Sequence, residues 1–543
     1  EPHTEWVKKR KLMAHGTTRK RKVLSASHIN RELEELNRIG IALSETRDIE
    51  RLLGMILFKA REITNADAGS LYLVEHTEGE MRLRFKLTQN DSVDFPFAES
   101  TLPLTDQSIA GYCAIHGKIV ELADAYRVPK GMVFHFNRTF DESTGYRTRS
   151  LLALPMKNGK GEVLGVLQLL NCKRARNARL TNAKAVARGV HAFPEHAVRL
   201  GLSLASQAAV AYENSKLYHD IENLFDGFVK AAVKAIEQRD PTTSGHSQRV
   251  CDMTVALAEA ADREASGPYA DLRFSREQMK ELRYAALLHD FGKVGVREEV
   301  LVKAKKLYPL QYARLMDRFD YIRRDIEAQC AEQKVDALLQ LSKKEAAKKL
   351  KELDAEAQKL STELERCMEF VMRANEPTIM PNSNFEMVNE IAQRSYGDPR
   401  GAKRPYLTAD EVQLLSIPRG SLAENERREI EAHVVHSFQF LAQIPWTQEY
   451  RRIPEIARAH HEKLNGKGYP FGLNSAEIPV QAKMMTICDI FDALSATDRP
   501  YKKAVPTDRA LDILRLCVKE EEVDAEMFRM FVESQAYRLA VKS

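Results

Sequence analysis

The sequence predicts an α+β module followed by a series of helices that carry metal-capable side chains and are interrupted by a helical hairpin. Three observations carry that prediction. Short apolar segments with strand character lie between residues 68 and 171, joined near their end by an Asn158-Gly159 turn. Two adjacent pairs, His289-Asp290 and His460-His461, offer ligands of the kind that hold iron, manganese or zinc. Between those pairs, a charge-rich stretch keeps apolar residues alternately four and three apart.

At 543 residues the chain exceeds one ordinary core, so two or three domains are expected. It opens with Lys8-Lys9-Arg10-Lys11 and Arg19-Lys20-Arg21-Lys22, a basic run that reads as a disordered, solvated tail over residues 1–28. Contact with nucleic acid or an anionic membrane is the alternative, but no aromatic interleaving or groove-binding motif accompanies the run. From Ile29 to Asn65 apolar residues recur at helical spacing, as in Leu36, Ile39, Leu43, Leu52, Leu53 and Ile56. Ala68–Val74 and Leu151–Met156 then read as strands, and Lys157–Glu162 turns the chain into Val163–Asn171.

Phe140-Asp141-Glu142-Ser143-Thr144-Gly145-Tyr146-Arg147-Thr148-Arg149-Ser150, the hairpin and Gly165-Val166-Leu167-Gln168-Leu169-Leu170-Asn171 together resemble a GAF domain, over about residues 30–215. Cyclic-nucleotide-binding GAF domains carry Asn-Lys at the end of this last strand, then a Phe and an Asp-Glu pair. Here Asn171 is followed by Cys172 and the later residues are missing. A dimerising role or a different, unknown GAF ligand is therefore expected at least as much as cyclic-nucleotide binding.

Leu217, Ile221, Leu224, Phe228, Ala231 and Ala235 form a narrow apolar seam, with apolar residues upstream at Leu202, Ala205, Ala209 and Tyr212. A parallel homodimer seam is expected, against the alternative of a helix packed on its own domain. Further on, Tyr312, Leu315, Phe319, Ile322 and Ile326 precede Ala346, Leu350, Leu353, Ala357, Leu360, Leu364, Cys367 and Val371. Two seamed helices in succession predict an antiparallel hairpin inserted between the metal motifs, an arm for packing or for a protein partner.

The ligand-competent residues, in order, are His246, His289, Asp290, His433, His460, His461 and Asp489. One interior histidine is more often a hydrogen-bonded core residue than a ligand. Seven such residues on successive helices, two pairs of them adjacent, invert that expectation. Two ions about 3.5–4 Å apart need a bridging carboxylate and several terminal ligands, and Asp290 is the natural bridge. Such a centre neutralises a phosphodiester and lowers the pKa of bound water. Lys293 adds a cation for the phosphate, worth most where water is excluded. The reading is a metal-dependent phosphohydrolase with Asp290 and Lys293 as catalytic residues.

These residues, with Glu462, Gly468-Tyr469-Pro470 and Asp498-Arg499-Pro500-Tyr501-Lys502, resemble the HD-GYP family of cyclic-di-GMP phosphodiesterases over about residues 225–525, apart from the insertion. The resemblance implies an all-α HD-type metal phosphohydrolase domain, two divalent ions (iron or manganese), and a cyclic dinucleotide as substrate. Gly468, Tyr469 and Pro470 fit a substrate loop in which tyrosine stacks on a base, or else plugs the structure. Arg499 and Lys502 hold the second phosphate or form surface salt bridges. Family members with a third metal carry a glutamate four residues before the first histidine; Thr242 stands there, so two ions are expected. The family's Lys-Pro-Gly-Lys-Leu reads Lys303-Ala304-Lys305-Lys306-Leu307, and a less rigid loop is expected.

The expected organisation is a tail at 1–28, a GAF-like sensor at 29–200, a linking signalling helix at 201–236 and an HD-GYP catalytic domain at 237–543, with the helical insertion at about 305–405. The expected activity is hydrolysis of cyclic di-GMP to linear pGpG, with onward cleavage to GMP left open. The alternatives are another cyclic dinucleotide such as cyclic GMP-AMP, or a degenerate module that binds and signals without turnover. Intact metal ligands and Lys293 favour the enzyme. No apolar run approaches the roughly 18–20 residues that span a bilayer, and seven scattered cysteines without a CxxC pair argue against a disulfide framework or thiolate zinc site. A cytoplasmic location is expected.

Overall fold

The computed structural model describes residues 26–46, 48–77, 79–240, 244–378, 382–496 and 504–542. The basic run at residues 8–22, Thr242, Arg499 and Lys502 lie outside the described residues. The first helix, Ala26–Glu45, begins slightly inside the span expected for the tail. The chain divides into two compact units, Glu1–Phe225 and Asp226–Ser543.

The first unit is built on an antiparallel sheet of β1 (Ala66–Thr77), β2 (Glu80–Asn90), β3 (Ser100–Pro103), β4 (Val120–Leu122), β5 (Leu151–Lys157), β6 (Val163–Lys173) and β7 (Val190–His191). The order is β3-β2-β1-β6-β5-β4, with β7 pairing on β6. Side chains alternate across a strand, and the sheet is apolar on both faces. Leu71, Leu73, Leu152, Leu154, Leu167 and Leu169 pack with the Ile49–Thr64 helix and with Leu204, Ala205 and Ala208. Tyr72, Leu151, Ala153, Val166 and Leu170 face the other way, against Ile109, Cys113 and Phe134. The Ile49–Thr64 helix begins where the Asp48 carboxylate accepts from Arg51 N and ends at Asn65 in the left-handed region, φ 58°. On the second face lies a cavity of about 310 Å³, whose lining includes Tyr72, Phe85, Thr88, Asn90, Phe140 and Gln168.

The β5–β6 turn differs in detail from the Asn-Gly expectation. Asn158 Oδ1 accepts from the backbone N–H groups of Lys160 and Glu162, and the left-handed residue is Gly161, φ +82°. Asparagine acts through its side chain, and the later glycine supplies the backbone reversal.

The Glu195–Arg239 helix changes its buried face along its length. Ala205, Ala209 and Tyr212 are buried in the first unit's core, whereas Leu217, Ile221, Leu224 and Phe228 are more than half exposed, Leu224 by 75 %. Its last turns bury Val229, Val233 and Ile236 instead, leaving Ala231 and Ala235 on the exposed side.

The second unit is largely helical. Helices Pro309–Gln340 and Lys343–Ala374 pack against one another across a turn at Leu341-Ser342. At their base, Leu315, Phe319 and Ile322 bury against Leu364, Cys367 and Val371, and the same cluster takes in Val388, Ile391, Leu407 and Leu415. Ala346 and Leu353 are buried along the seam, but Leu360 is 45 % exposed and stands out of it. The root is clamped by charge. Lys303 Nζ donates to both Glu426 oxygens at 2.8 and 2.7 Å, and Leu307 N donates to Asn375 Oδ1 at 2.8 Å. No helix of the described residues is long and apolar enough to cross a membrane.

Candidate metal centre

Most of the ligand-competent residues sit at or near a helix end turned toward one interior point. The Arg276–Leu288 helix starts with a Ser275/Gln278 capping box and buries Leu282, Ala285, Ala286 and Leu288. It ends at His289, and the backbone then leaves the helix at Asp290. His246 opens the His246–Asp262 helix behind Gly245, and His433 opens His433–Leu441. His460 and His461 follow Ile453–Arg458, while Asp489 projects from the middle of Val480–Ser495.

Three histidines are oriented alike. The Nδ1 atoms of His289, His433 and His460 lie 2.6, 2.5 and 2.6 Å from the carbonyl oxygens of Ala286, Ile430 and Ala457, each three residues back. A carbonyl only accepts, so Nδ1 carries the proton and Nε2 keeps its lone pair. All three Nε2 atoms are buried and have no hydrogen-bond partner. Such orphaned nitrogens are costly unless a Lewis acid takes the lone pair, and a donated Nδ1–H is the usual support of a metal-bound histidine.

Asp290 lies among them. Its Oδ1 is 3.3 Å from His433 Nε2, and its Oδ2 is 3.5 Å from His289 Nε2, 3.6 Å from His246 Nε2 and 2.9 Å from Lys293 Nζ. Asp489 reaches His246 Nε2 at 3.2 Å and His461 Nδ1 at 3.8 Å. Two ligand groups result, His246–His289–Asp290 and His433–His460–His461, each compact enough to hold an ion. The donor set of imidazole and carboxylate suits a divalent transition metal, so the residues fit the group the sequence implies.

Electrostatics follow from burial and neighbours. Burial opposes charge on His289, His460 and His461 and lowers all three, His461 to about 4. Burial also opposes ionisation of Asp290 and Asp489, but Lys293 and the histidines at Asp290, and His246 and His461 at Asp489, hold both well below the usual carboxylate range. His246 is desolvated too, yet Asp489 and Asp492 lift it to about 9. Lys293, though buried, is held above the usual lysine value by Asp290 and Asp240.

Sequence reasoning missed a supporting ring. Asp492 is fully buried and takes His246 Nδ1 at 2.7 Å and Arg249 Nε and Nη2 at 2.7 and 3.0 Å. The signal was its place three residues beyond Asp489 on one helix face. Asp240 lies 3.4 Å from Lys293. Ser437 Oγ accepts from Gly292 N and donates to His289 O, both at 2.7 Å. A Cβ at Gly292 would stand 1.9 Å from His433 O, so only glycine lets the two ligand segments meet this closely.

The Gly468-Tyr469-Pro470 loop folds over one side of the centre. Tyr469 lies against His461, ring centroids 4.8 Å apart, and burial raises its hydroxyl pKa. The Glu462 carboxylate accepts from Phe471 N and Leu473 N, both at 2.8 Å, and fixes the loop. A Cβ at Gly468 would strike Lys463 N at 2.3 Å.

Comparison with known proteins gives two family matches, a GAF domain at residues 48–212 and an HD domain at residues 409–527. The HD match holds His433, His460, His461, Asp489 and Asp492; His246, His289 and Asp290 precede it. The chain is 44 % identical over 95 residues to a 3'3'-cGAMP-specific phosphodiesterase of Vibrio cholerae, covering 18 % of this chain and 20 % of that relative. It is 38 % identical over 82 residues to a cyclic di-GMP phosphodiesterase of Pseudomonas aeruginosa, covering 15 % and 19 %. The matched segments thus span about a fifth of these relatives' lengths. A solved GAF domain/HD domain protein from Geobacter sulfurreducens aligns at 15 % identity over 32 % of this chain and 98 % of that one, with a TM-score of 0.23.

Proposed function

We propose that this chain, which joins a GAF domain to an HD domain, is a metal-dependent phosphodiesterase that hydrolyses a cyclic dinucleotide, with cyclic di-GMP to linear pGpG as the leading reaction. The observation that carries the reading is the cluster of three orphaned Nε2 atoms, with those of His433 and His289 at 3.3 and 3.5 Å from Asp290. His246, His289 and Asp489 would serve one ion and His433, His460 and His461 the other, with Asp290 between them. When bound, two divalent ions, iron or manganese by resemblance, supply Lewis acidity and an acidified water.

The protein's own groups do the rest. The backbone carbonyls behind the histidines and Asp492 fix their orientation. Lys293 keeps a proton, and with it a positive charge, beside Asp290, where it meets a phosphate oxygen. Tyr469 offers an aromatic face at the rim for a base. Arg499 and Lys502 are proposed to hold the phosphate that is not cleaved. A GAF ligand would regulate the reaction from the cavity against the sheet's second face.

The relatives act on two different cyclic dinucleotides, which makes cyclic GMP-AMP the second reading. Metal-replete protein, with iron kept reduced, should be given each dinucleotide and the products separated by chromatography. Release of pGpG with slower turnover of cyclic GMP-AMP is expected. Preference for cyclic GMP-AMP would reverse the assignment, and binding without product from either would favour a degenerate signalling module.

A further inference from the structure

The hairpin presents an apolar tip that none of the described residues covers. Each helix has 32 residues, about 48 Å of rise. Burial near the turn is confined to small residues, Ala337 and Ala346. On the outer side, Val335, Leu338 and Leu339 fall three and four apart on one helical face, 54 %, 60 % and 78 % exposed, and Leu341 in the turn is 42 % exposed.

Charge surrounds this face. Between residues 330 and 352 stand Lys334, Lys343, Lys344, Lys348, Lys349 and Lys351 against Glu332, Asp336, Glu345 and Glu352, with the lysines densest just after the turn. Lys334 is half-buried against Asp354, and Lys348 lies 3.9 Å from Glu352. Lys343 and Lys344, at the turn itself, are exposed, as are Lys349 and Lys351. The composition decides what kind of partner this fits. Protein interfaces are enriched in tryptophan, tyrosine and arginine and depleted in lysine, and residues 330–352 contain no aromatic residue and no arginine. Leucine beside lysine is the pairing that an anionic bilayer rewards, the first by insertion among acyl chains and the second by attraction to headgroups.

We propose that the hairpin tip docks on an anionic lipid surface, with Val335, Leu338, Leu339 and Leu341 inserted and the lysines on the headgroups. The clamped root, Lys303 on Glu426, makes the arm a spacer that holds the metal centre away from the bilayer.

The full chain should be sedimented with phosphatidylserine-containing vesicles and with phosphatidylcholine vesicles. The doubly substituted Leu338→Glu, Leu339→Glu protein and the Lys343→Gln, Lys344→Gln protein are tested beside it, each first shown by thermal unfolding to be folded. Binding is expected to anionic vesicles only. It should fall at least about tenfold in the leucine variant and about fivefold for each lysine removed. No vesicle binding, or equal binding to both vesicle types, overturns the proposal. Binding that survives both pairs of substitutions belongs to the basic residues 8–22 and overturns it as well. A monomer–dimer equilibrium abolished by the leucine substitutions would assign the tip to a second copy instead.

Discussion

Asp492 carries two buried partners, the His246 imidazole through Nδ1 and the Arg249 guanidinium. An amide at that position would keep the shape but remove the charge. Asp492→Asn should therefore release His246 from its orientation and weaken metal binding by about 10–100-fold. Titration of the apoprotein with Mn²⁺ checks this, and unchanged affinity would contradict it. Lys293 makes the opposite case. It contacts Asp290 through charge but is a poor ligand while protonated, so Lys293→Ala should keep metal and lose about 10²–10³ in turnover. Asp290→Ala should lose both. Wild-type hydrolysis by Lys293→Ala would remove the lysine from the mechanism. The seven proposed ligands could be read from the sequence because their residue types are rarely buried together without purpose. The position of Asp492 three residues past Asp489 was a signal, but its pairing with Arg249, 243 residues away, was not legible, because the two meet only when their helices pack.

Among the helices, Glu424–Glu431 joins the root of the hairpin to the segment that begins at His433. Burial pushes the Glu426 carboxyl up, but Lys303, Tyr308 and the Ala423 N–H together hold it below the usual glutamate value. A carboxylate depressed on folding contributes stability above its unfolded pKa, about 4.3. That contribution is lost as pH falls through the lower folded value. Glu426→Gln leaves Lys303 buried without its anion, a cost of about 3–5 kcal/mol at neutral pH. Urea unfolding across pH should show the gap between wild type and variant closing below about pH 4; a gap that does not change with pH would mean the pair contributes nothing through charge. Heptad spacing made the hairpin legible in advance, since a seam of that period has few other uses. It did not show that Leu360 stands outside the seam, because periodicity marks a stripe and not the partner's width at each level. Nor did it show which glycine turns the β5–β6 loop, where the Asn158 side chain settles the geometry.

Across the full chain, the covalent link between the GAF domain and the metal centre is one route by which the first would regulate the second. The Glu195–Arg239 helix runs from the first unit into the second, and its middle turns leave Leu217, Ile221, Leu224 and Phe228 exposed. That row suits a parallel dimer seam, and a shift along it would displace the chain leading to His246. Errors near 1 Å cost roughly a hundredfold in rate. Leu217→Glu with Leu224→Glu should weaken dimerisation and alter activity while metal content stays intact. Sedimentation giving a monomer for the unmutated protein at micromolar concentration would contradict the seam. The sequence announced both units through their motifs, but the helix between them reads the same whether it packs at home or on a partner.

If His246, His289, Asp290, His433, His460, His461 and Asp489 form one binuclear centre that cleaves a phosphodiester, activity must follow metal occupancy. The protein should be stripped of metal and Mn²⁺ returned stepwise while release of linear pGpG from cyclic di-GMP is followed. Activity should be absent from the apoprotein, rise with added metal and saturate at two ions per chain. Saturation at three ions, or hydrolysis that continues without metal, would contradict it.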